Sequence, residues 1–259
     1  MPLTSEPLPP GPVALTNLRA VVLDIEGTTC PVDFVTGVLF PHAVEALPTW
    51  LQRRQGSPAL EPLRQQLLQA WHDETDPTAP PAPVDDGGST DLLPWLRWLI
   101  AHDRKLTALK DLQGMIWADG YADGQLQAPL FDDVAPALRR WHGAGLQLAV
   151  YSSGSVPAQQ LLYGHSSAGD LRPLFSGWYD TRLGPKQESA SYQRLVESLG
   201  CRPGEVLFLS DARGELAAGA GAGLQVCGCR RPGNPDPLAD GPWPVVETLA
   251  TLALTPAAA

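Results

Sequence analysis

Cysteine is scarce in this 259-residue chain, and its four examples, Cys30, Cys201, Cys227 and Cys229, form no C-x-x-C pair and no zinc-like spacing with the five histidines. Disulfide stapling and a structural zinc site are thereby disfavoured, and buried reduced thiols are the expectation. Long apolar runs are missing too. Nothing in the sequence could span a bilayer, and the proline-rich start has no basic-then-apolar leader pattern, so a cytoplasmic protein without a membrane partner is expected. Basic residues are in deficit: 18 Lys and Arg stand against 28 Asp and Glu, giving a formal net charge of -10 and a pI near 4.9. Without a basic stripe to release counterions, nucleic acid is excluded as the main partner. A small anion is not, because a few local cations and a metal ion can overrule the global field. There is no internal repeat, no G-x-S-x-G with a histidine partner for Ser152, and no G-x-G-x-x-G after the first strand.

What is present is rhythm. Four short apolar runs each end at a polar or glycine-containing cluster: Ala20 to Leu23 before Asp24, Leu146 to Tyr151 before Ser152, Val206 to Leu209 before Ser210-Asp211, and Leu224 to Cys227 before Gly228. Such runs read as strands buried on both faces. Helical segments lie between them. The clearest is Gln187 to Leu199, with Tyr192, Leu195, Val196 and Leu199 on one face and Gly200 as its stop. Alternation of this kind predicts an α/β fold with a Rossmann-like parallel sheet and right-handed crossovers, its ligands bound beyond the carboxyl ends of the strands.

Residues 31 to 128 break the rhythm with helical patterns at Ala59 to Trp71, Leu92 to Ile100 and Leu106 to Trp117. They are expected to form an inserted helical cap, leaving 18–30 and 129–259 as a discontinuous core. Residues 1–17 are expected to be a flexible tail, and Thr255-Pro256 with the closing alanines a second one. Surface loops are expected at Asp76 to Gly88 and at Gly233 to Pro237. Trp95, Trp98 and Trp117 read as packing residues, and the glycines at 219, 221 and 223 as close helix packing.

The strand tips carry the chemistry. Asp24-Ile25-Glu26-Gly27 sets two carboxylates in a turn where both can face one small site, and Asp211 follows another strand. Clustered carboxylates repel one another and raise a pKa unless a cation lies between them, and hard oxygen ligands suit magnesium. Asp24 could attack phosphorus to give an aspartyl-phosphate. Glu26 could protonate the leaving oxygen and later activate water. Ser152, in a serine-rich turn before a helix from Val156, faces a helix N-terminus suited to phosphate, and Lys186 could neutralise phosphoryl oxygens.

In this order, Asp24-x-Glu26, Ser152, Lys186 and Asp211 resemble the four motifs of the haloacid dehalogenase-type phosphatases. The likeness sharpens with Asp24 to Thr29, Leu39-Phe40-Pro41, Asp103-Arg104-Lys105, Thr107 to Lys110, Leu112 to Trp117, Tyr151 to Ser155, Gly164-His165-Ser166 and Gly184-Pro185-Lys186. Together these resemble the enolase-phosphatases (acireductone synthases), from about Leu18 to Arg231. The resemblance implies a haloacid dehalogenase core and conversion of 2,3-diketo-5-methylthiopentyl phosphate, through an enol, to an acireductone and phosphate in methionine salvage. It also implies one Mg2+ per subunit, with Asp24, Glu26 and Asp211 associated with the metal and Ser152, Ser153 and Lys186 contacting substrate. In that family the residue at Glu26 can reach the metal through its main-chain carbonyl. A monomer acting on a small phosphate is expected. Three rivals stand beside this reading: a plain phosphomonoesterase on a sugar or glycolate phosphate, a metal-free dehalogenase, and a non-catalytic phospho-acceptor switch.

Overall fold

A computed structural model describes residues 12–83, 91–102, 104, 106–234, 238 and 241–258. Its strands are β1 (Val13–Leu18), β2 (Ala20–Leu23), β3 (Gln147–Tyr151), β4 (Gly177–Tyr179), β5 (Val206–Ser210), β6 (Gln225–Cys229), β7 (Val245–Val246) and β8 (Leu252–Pro256). The α-helices are α1 (Val32–Phe34), α2 (Phe40–Arg53), α3 (Glu61–His72), α4 (Leu93–Ala101), α5 (Thr107–Ala122), α6 (Val134–Gly143), α7 (Val156–Gly164), α8 (Ser189–Leu199) and α9 (Arg213–Gly221). The chain divides into two compact units. The first joins Met1–Phe34 to Ala128–Ala259, and the second is Val35–Gln127.

In the first unit β4-β3-β2-β5-β6-β7 form one sheet, every neighbouring pair parallel. The four runs picked out by apolarity are its inner strands. Ala20 to Leu23 are wholly buried, as are Val206 to Ser210. From β2 the chain builds outward through β3 and β4 on one side, then returns to build β5, β6 and β7 on the other. The order therefore reverses beside β2, where an open parallel sheet leaves a crevice beyond its strand ends. α8 buries Tyr192, Leu195, Val196 and Leu199 into the core that Phe208 and Leu216 share, and Gly200 ends it in the left-handed region at φ 64°. Each such side chain contributes about 1.5–3 kcal/mol by leaving water. Leu195→Ala would cost roughly 2–5 kcal/mol.

The expectation of flexible ends needs correction. Val13–Leu18 pairs in parallel with Leu252–Pro256 as a separate two-stranded sheet, so residues 13–17 and 252–256 are structured. Their burial alternates or is slight, whereas the core strands are continuous apolar runs, and a search for continuous runs passes over them. Residues 1–11, 84–88 and 235–237 of the expected tail and loops lie outside the described residues.

The second unit is helical among its described residues, its core built by Leu47, Leu67, Trp95, Leu96 and Leu112 of α2 to α5. Trp71, Trp95 and Trp98 stack nearly parallel, with ring centroids 5.6 and 5.2 Å apart in turn, as packing residues do. α2 was not among the expected helices. Pro48 lies inside it and masks a sound apolar spacing, in which Ala43, Leu47 and Trp50 are the buried residues.

Candidate active site

Register brings the acid- and serine-bearing tips to one edge of the first unit. Leu23 is the partner of both Val150 and Leu209, and the Asp24 amide continues the ladder by donating to the Leu209 carbonyl at 2.9 Å. Asp24, Ser152 and Asp211 therefore leave neighbouring strands in the same direction. After Asp24 the chain folds into a tight turn in which the Thr28, Thr29 and Cys30 amides all donate to the Ile25 carbonyl. Gly27 has φ 71° there, and a Cβ on it would lie 2.1 Å from Asp211 Oδ2. Glycine is thus required by conformation and by the close approach of Asp211.

Lys186 is the centre of the site's electrostatics. Only 7 % exposed, it donates from Nζ to Asp24 Oδ1 at 2.6 Å and lies 2.8 Å from Glu215 Oε2. Glu215 also accepts from Ser210 Oγ at 2.9 Å. The Lys186 main chain is fixed by Tyr192, whose hydroxyl donates to the Lys186 carbonyl at 2.9 Å. Burial alone would lower the lysine pKa, but the Asp24 and Glu215 carboxylates outweigh it and hold it above the ordinary value. The acids move upward. Burial, then the Asp24 charge, pushes Asp211 up to about 6. Glu215 rises by burial and by Asp24 against the opposing Lys186. Glu26 is exposed, yet the protein packed around its carboxyl and the Asp24 charge raise it as well. One lysine faces more anion than it can neutralise.

Ser152 is buried, its amide donating to the Tyr179 carbonyl at 3.2 Å and its Oγ accepting from the Gly154 amide at 3.3 Å. Ser153 is exposed on the same loop. Ser155 caps α7, accepting from the Ala158 amide at 3.4 Å. Gln159, 1 % exposed, braces this loop through donations to the Gly154 and Tyr179 carbonyls, both at 2.8 Å.

Among the described residues no three His, Cys, Asp or Glu side chains gather closely enough to hold a metal ion. The three carboxyl groups of Asp24, Glu26 and Asp211 are therefore not a ready side-chain cage. What the site does present is two buried or half-buried hard-oxygen acids, Asp24 and Asp211, the second raised in pKa by burial and then by the charge of the first. That chemistry fits a hard cation held by those two with main-chain or water oxygens completing its shell.

Sequence reasoning passed over Glu215, Asn234, Arg231 and Asp133. Glu215 had a legible signal: it stands four residues after Asp211, in the first turn of a helix that begins just past a strand tip. Asn234, whose Nδ2 donates to the Gly27 carbonyl at 2.7 Å and to Asp211 Oδ2 at 3.1 Å, sits in a loop with no periodicity to betray it. All four cysteines are unpaired, with Cys30, Cys227 and Cys229 buried, as their spacing implied. Asp103 and Lys105 of the family-like motif lie outside the described residues.

Residues 18–223 match the family model described as haloacid dehalogenase-like hydrolase, so the chain belongs to the haloacid dehalogenase-like hydrolases. Within that family it belongs with the enolase-phosphatases E1. It is 57 % identical over 230 residues to the enolase-phosphatase E1 of Synechococcus sp. (strain RCC307), covering 89 % of this chain and 92 % of that one. The enolase-phosphatase E1 of Pseudomonas fluorescens is 47 % identical over 218 residues, covering 84 % and 91 %. The crystal structure of the UTR4 protein of Saccharomyces cerevisiae is similar over 91 % of this chain and 100 % of its own, with TM-score 0.73 and 34 % identity. No helix among the described residues is long and apolar enough to cross a membrane.

Proposed function

We propose that the protein is an acireductone synthase: it converts 2,3-diketo-5-methylthiopentyl phosphate, through the enol phosphate, to the acireductone and phosphate in methionine salvage. The observation that carries this is the buried Asp24–Lys186–Glu215 cluster at the sheet's switch point, in a chain that matches enolase-phosphatases over most of its length. Asp24 is the nucleophile. A carboxylate oxygen attacks phosphorus, the bond from phosphorus to the enol oxygen breaks, and an aspartyl-phosphate forms. Glu26 donates its proton to the departing oxygen and then takes one from the water that releases phosphate. Its raised pKa suits both roles, because such a carboxyl is protonated more often before attack. Lys186 orients Asp24 through the Nζ–Oδ1 hydrogen bond and offers positive charge to phosphoryl oxygens. Ser152 and Ser153 supply hydroxyl and amide donors to the phosphate.

Asp24 and Asp211 would hold Mg2+ with the Glu26 main-chain carbonyl, one ion per subunit. When bound, the ion supplies charge neutralisation and polarises a substrate oxygen. Residues 31–128 serve as the helical cap, and the protein works as a cytoplasmic monomer on a small phosphate. The deciding assay follows acireductone absorbance and phosphate together from purified protein and the diketone phosphate. Equal yields, lost in chelator and restored by Mg2+, are expected. Phosphate without acireductone would replace this reading with the plain phosphomonoesterase.

A further inference from the structure

We infer that Asn234 is a positioning residue that sets the aim of Asp211 by tying it to the turn that follows Asp24. Its Nδ2 lies 2.7 Å from the Gly27 carbonyl oxygen and 3.1 Å from Asp211 Oδ2. Both neighbours can only accept, so the amide nitrogen, not its oxygen, must face them. The three groups are in close quarters, since a Cβ on Gly27 would lie 2.1 Å from Asp211 Oδ2 and 2.7 Å from Asn234 Nδ2. One amide therefore joins the loop after β2 to the loop after β5.

The turn that carries Asn234 is itself clamped. The Asn234 amide donates to the Arg231 carbonyl at 3.1 Å, closing a turn through Gly233 at φ 85°. Arg231 Nε donates to the Thr28 carbonyl at 2.9 Å, while its Nη1 reaches Asp133 Oδ2 at 2.7 Å and the Glu247 carbonyl at 3.0 Å. Two side chains of one turn thus grip two successive carbonyls, those of Gly27 and Thr28. Asp211 is half-buried beside the Asp24 charge, so repulsion would turn its carboxylate away without a donor to hold it. Partners of this kind, one bond behind a ligand, typically carry a 10–100-fold effect on metal affinity.

The inference rests on Asp211 being a magnesium ligand, and the test separates the two claims. Magnesium binding to substrate-free protein is measured by calorimetry for wild type, Asn234→Ala and Asn234→Leu, beside melting temperature and the kcat and KM of the purified enzyme. Both variants lose the two donations, while leucine keeps most of the volume. The expected result is binding about 10–100-fold weaker in both, a matching fall in kcat at limiting Mg2+, and KM within about twofold. Binding like wild type in either variant overturns the inference, as does a variant that loses its fold, which would make Asn234 a plain tether. A wild-type protein that binds no Mg2+ overturns the reading of Asp211 and this inference with it.

Discussion

Two buried ion networks occupy the same unit and differ in how their charges balance. At the strand tips, Lys186 is shared by Asp24 and Glu215, with Asp211 and Glu26 close enough to feel Asp24. Beneath the turn after β6, Asp133 meets Arg231 one to one at 2.7 Å and also accepts from Thr248 Oγ1 at 2.8 Å and from the Leu249 amide. The first network has surplus anion, and its Glu26, Asp211 and Glu215 are raised in pKa. In the second, burial pushes Asp133 up, but the Arg231 hydrogen bond and charge, with Thr248 and Leu249, hold its pKa below the ordinary value. A charge-balanced pair has no need of a further ion, whereas a cluster with surplus anion is left with affinity for a further cation and for what that cation brings.

Removing the proposed nucleophile tests that contrast most severely. Asp24→Asn keeps the side chain's size and should lower phosphate release by about 10⁴-fold or more, the scale of losing a covalent catalytic group. Proton exchange at the enolisable carbon in deuterated water, followed by NMR at high Mg2+, should persist, since enolisation does not need that nucleophile. Loss of exchange would mean that Asp24 serves both steps. Lys186→Ala ranks next. It should cost roughly 10²–10³-fold in phosphate release, as losing a preorganised charge does. It should also lower the melting temperature, because Asp24 and Glu215 are left facing each other without their cation. A turnover near wild type would return Lys186 to the role of a structural counter-charge.

Asp133→Asn should act mainly on stability. It strands a guanidinium whose side chain is 2 % exposed, and breaking a buried pair costs about 3 kcal/mol or somewhat more. In a chain of this size that is a fall in melting temperature of roughly 6–12 °C. A loss no larger than that of a surface pair would mean that the Arg231 network carries little of the fold.

The same contrast governs what the sequence discloses. The inner strands were legible because burial on both faces demands continuous apolar runs, and Asp24, Ser152 and Asp211 because they terminate those runs. α8 and its stop at Gly200 were legible from period and glycine alone. β1 and β8 were not, because a half-exposed pair of strands needs no continuous run. Glu215 and Asn234 gain their meaning from partners far away in the chain, 29 and 23 residues from Lys186 and Asp211 respectively. A dipeptide motif announces a turn, but a hydrogen bond across folds leaves no spacing to read.

The smallest expected effect is the most specific, because the two networks should give stability slopes of opposite sign with pH. Asp133 titrates lower in the folded protein than the value of about 3.9 for an unfolded chain. Its contribution is therefore complete above about pH 4 and is lost as pH falls through the folded value. Asp211 is pushed up to about 6, so its proton favours the folded state: that contribution is complete below about pH 4 and is lost as pH rises through about 6. In chelator, Asp211→Asn should then melt higher than wild type at about pH 7 and equal to it at about pH 4. The full shift would be worth about 3 kcal/mol, and solvent access to a half-buried carboxylate reduces that to roughly 1 kcal/mol. Asp133→Asn should show the reverse, a deficit at neutral pH that closes on acidification. Melting curves across that range, without and with Mg2+, decide it. An Asp211→Asn protein less stable than wild type at neutral pH in chelator would mean the carboxylate is already satisfied by Asn234 and Lys186. The surplus of anion at the strand tips would then be apparent only.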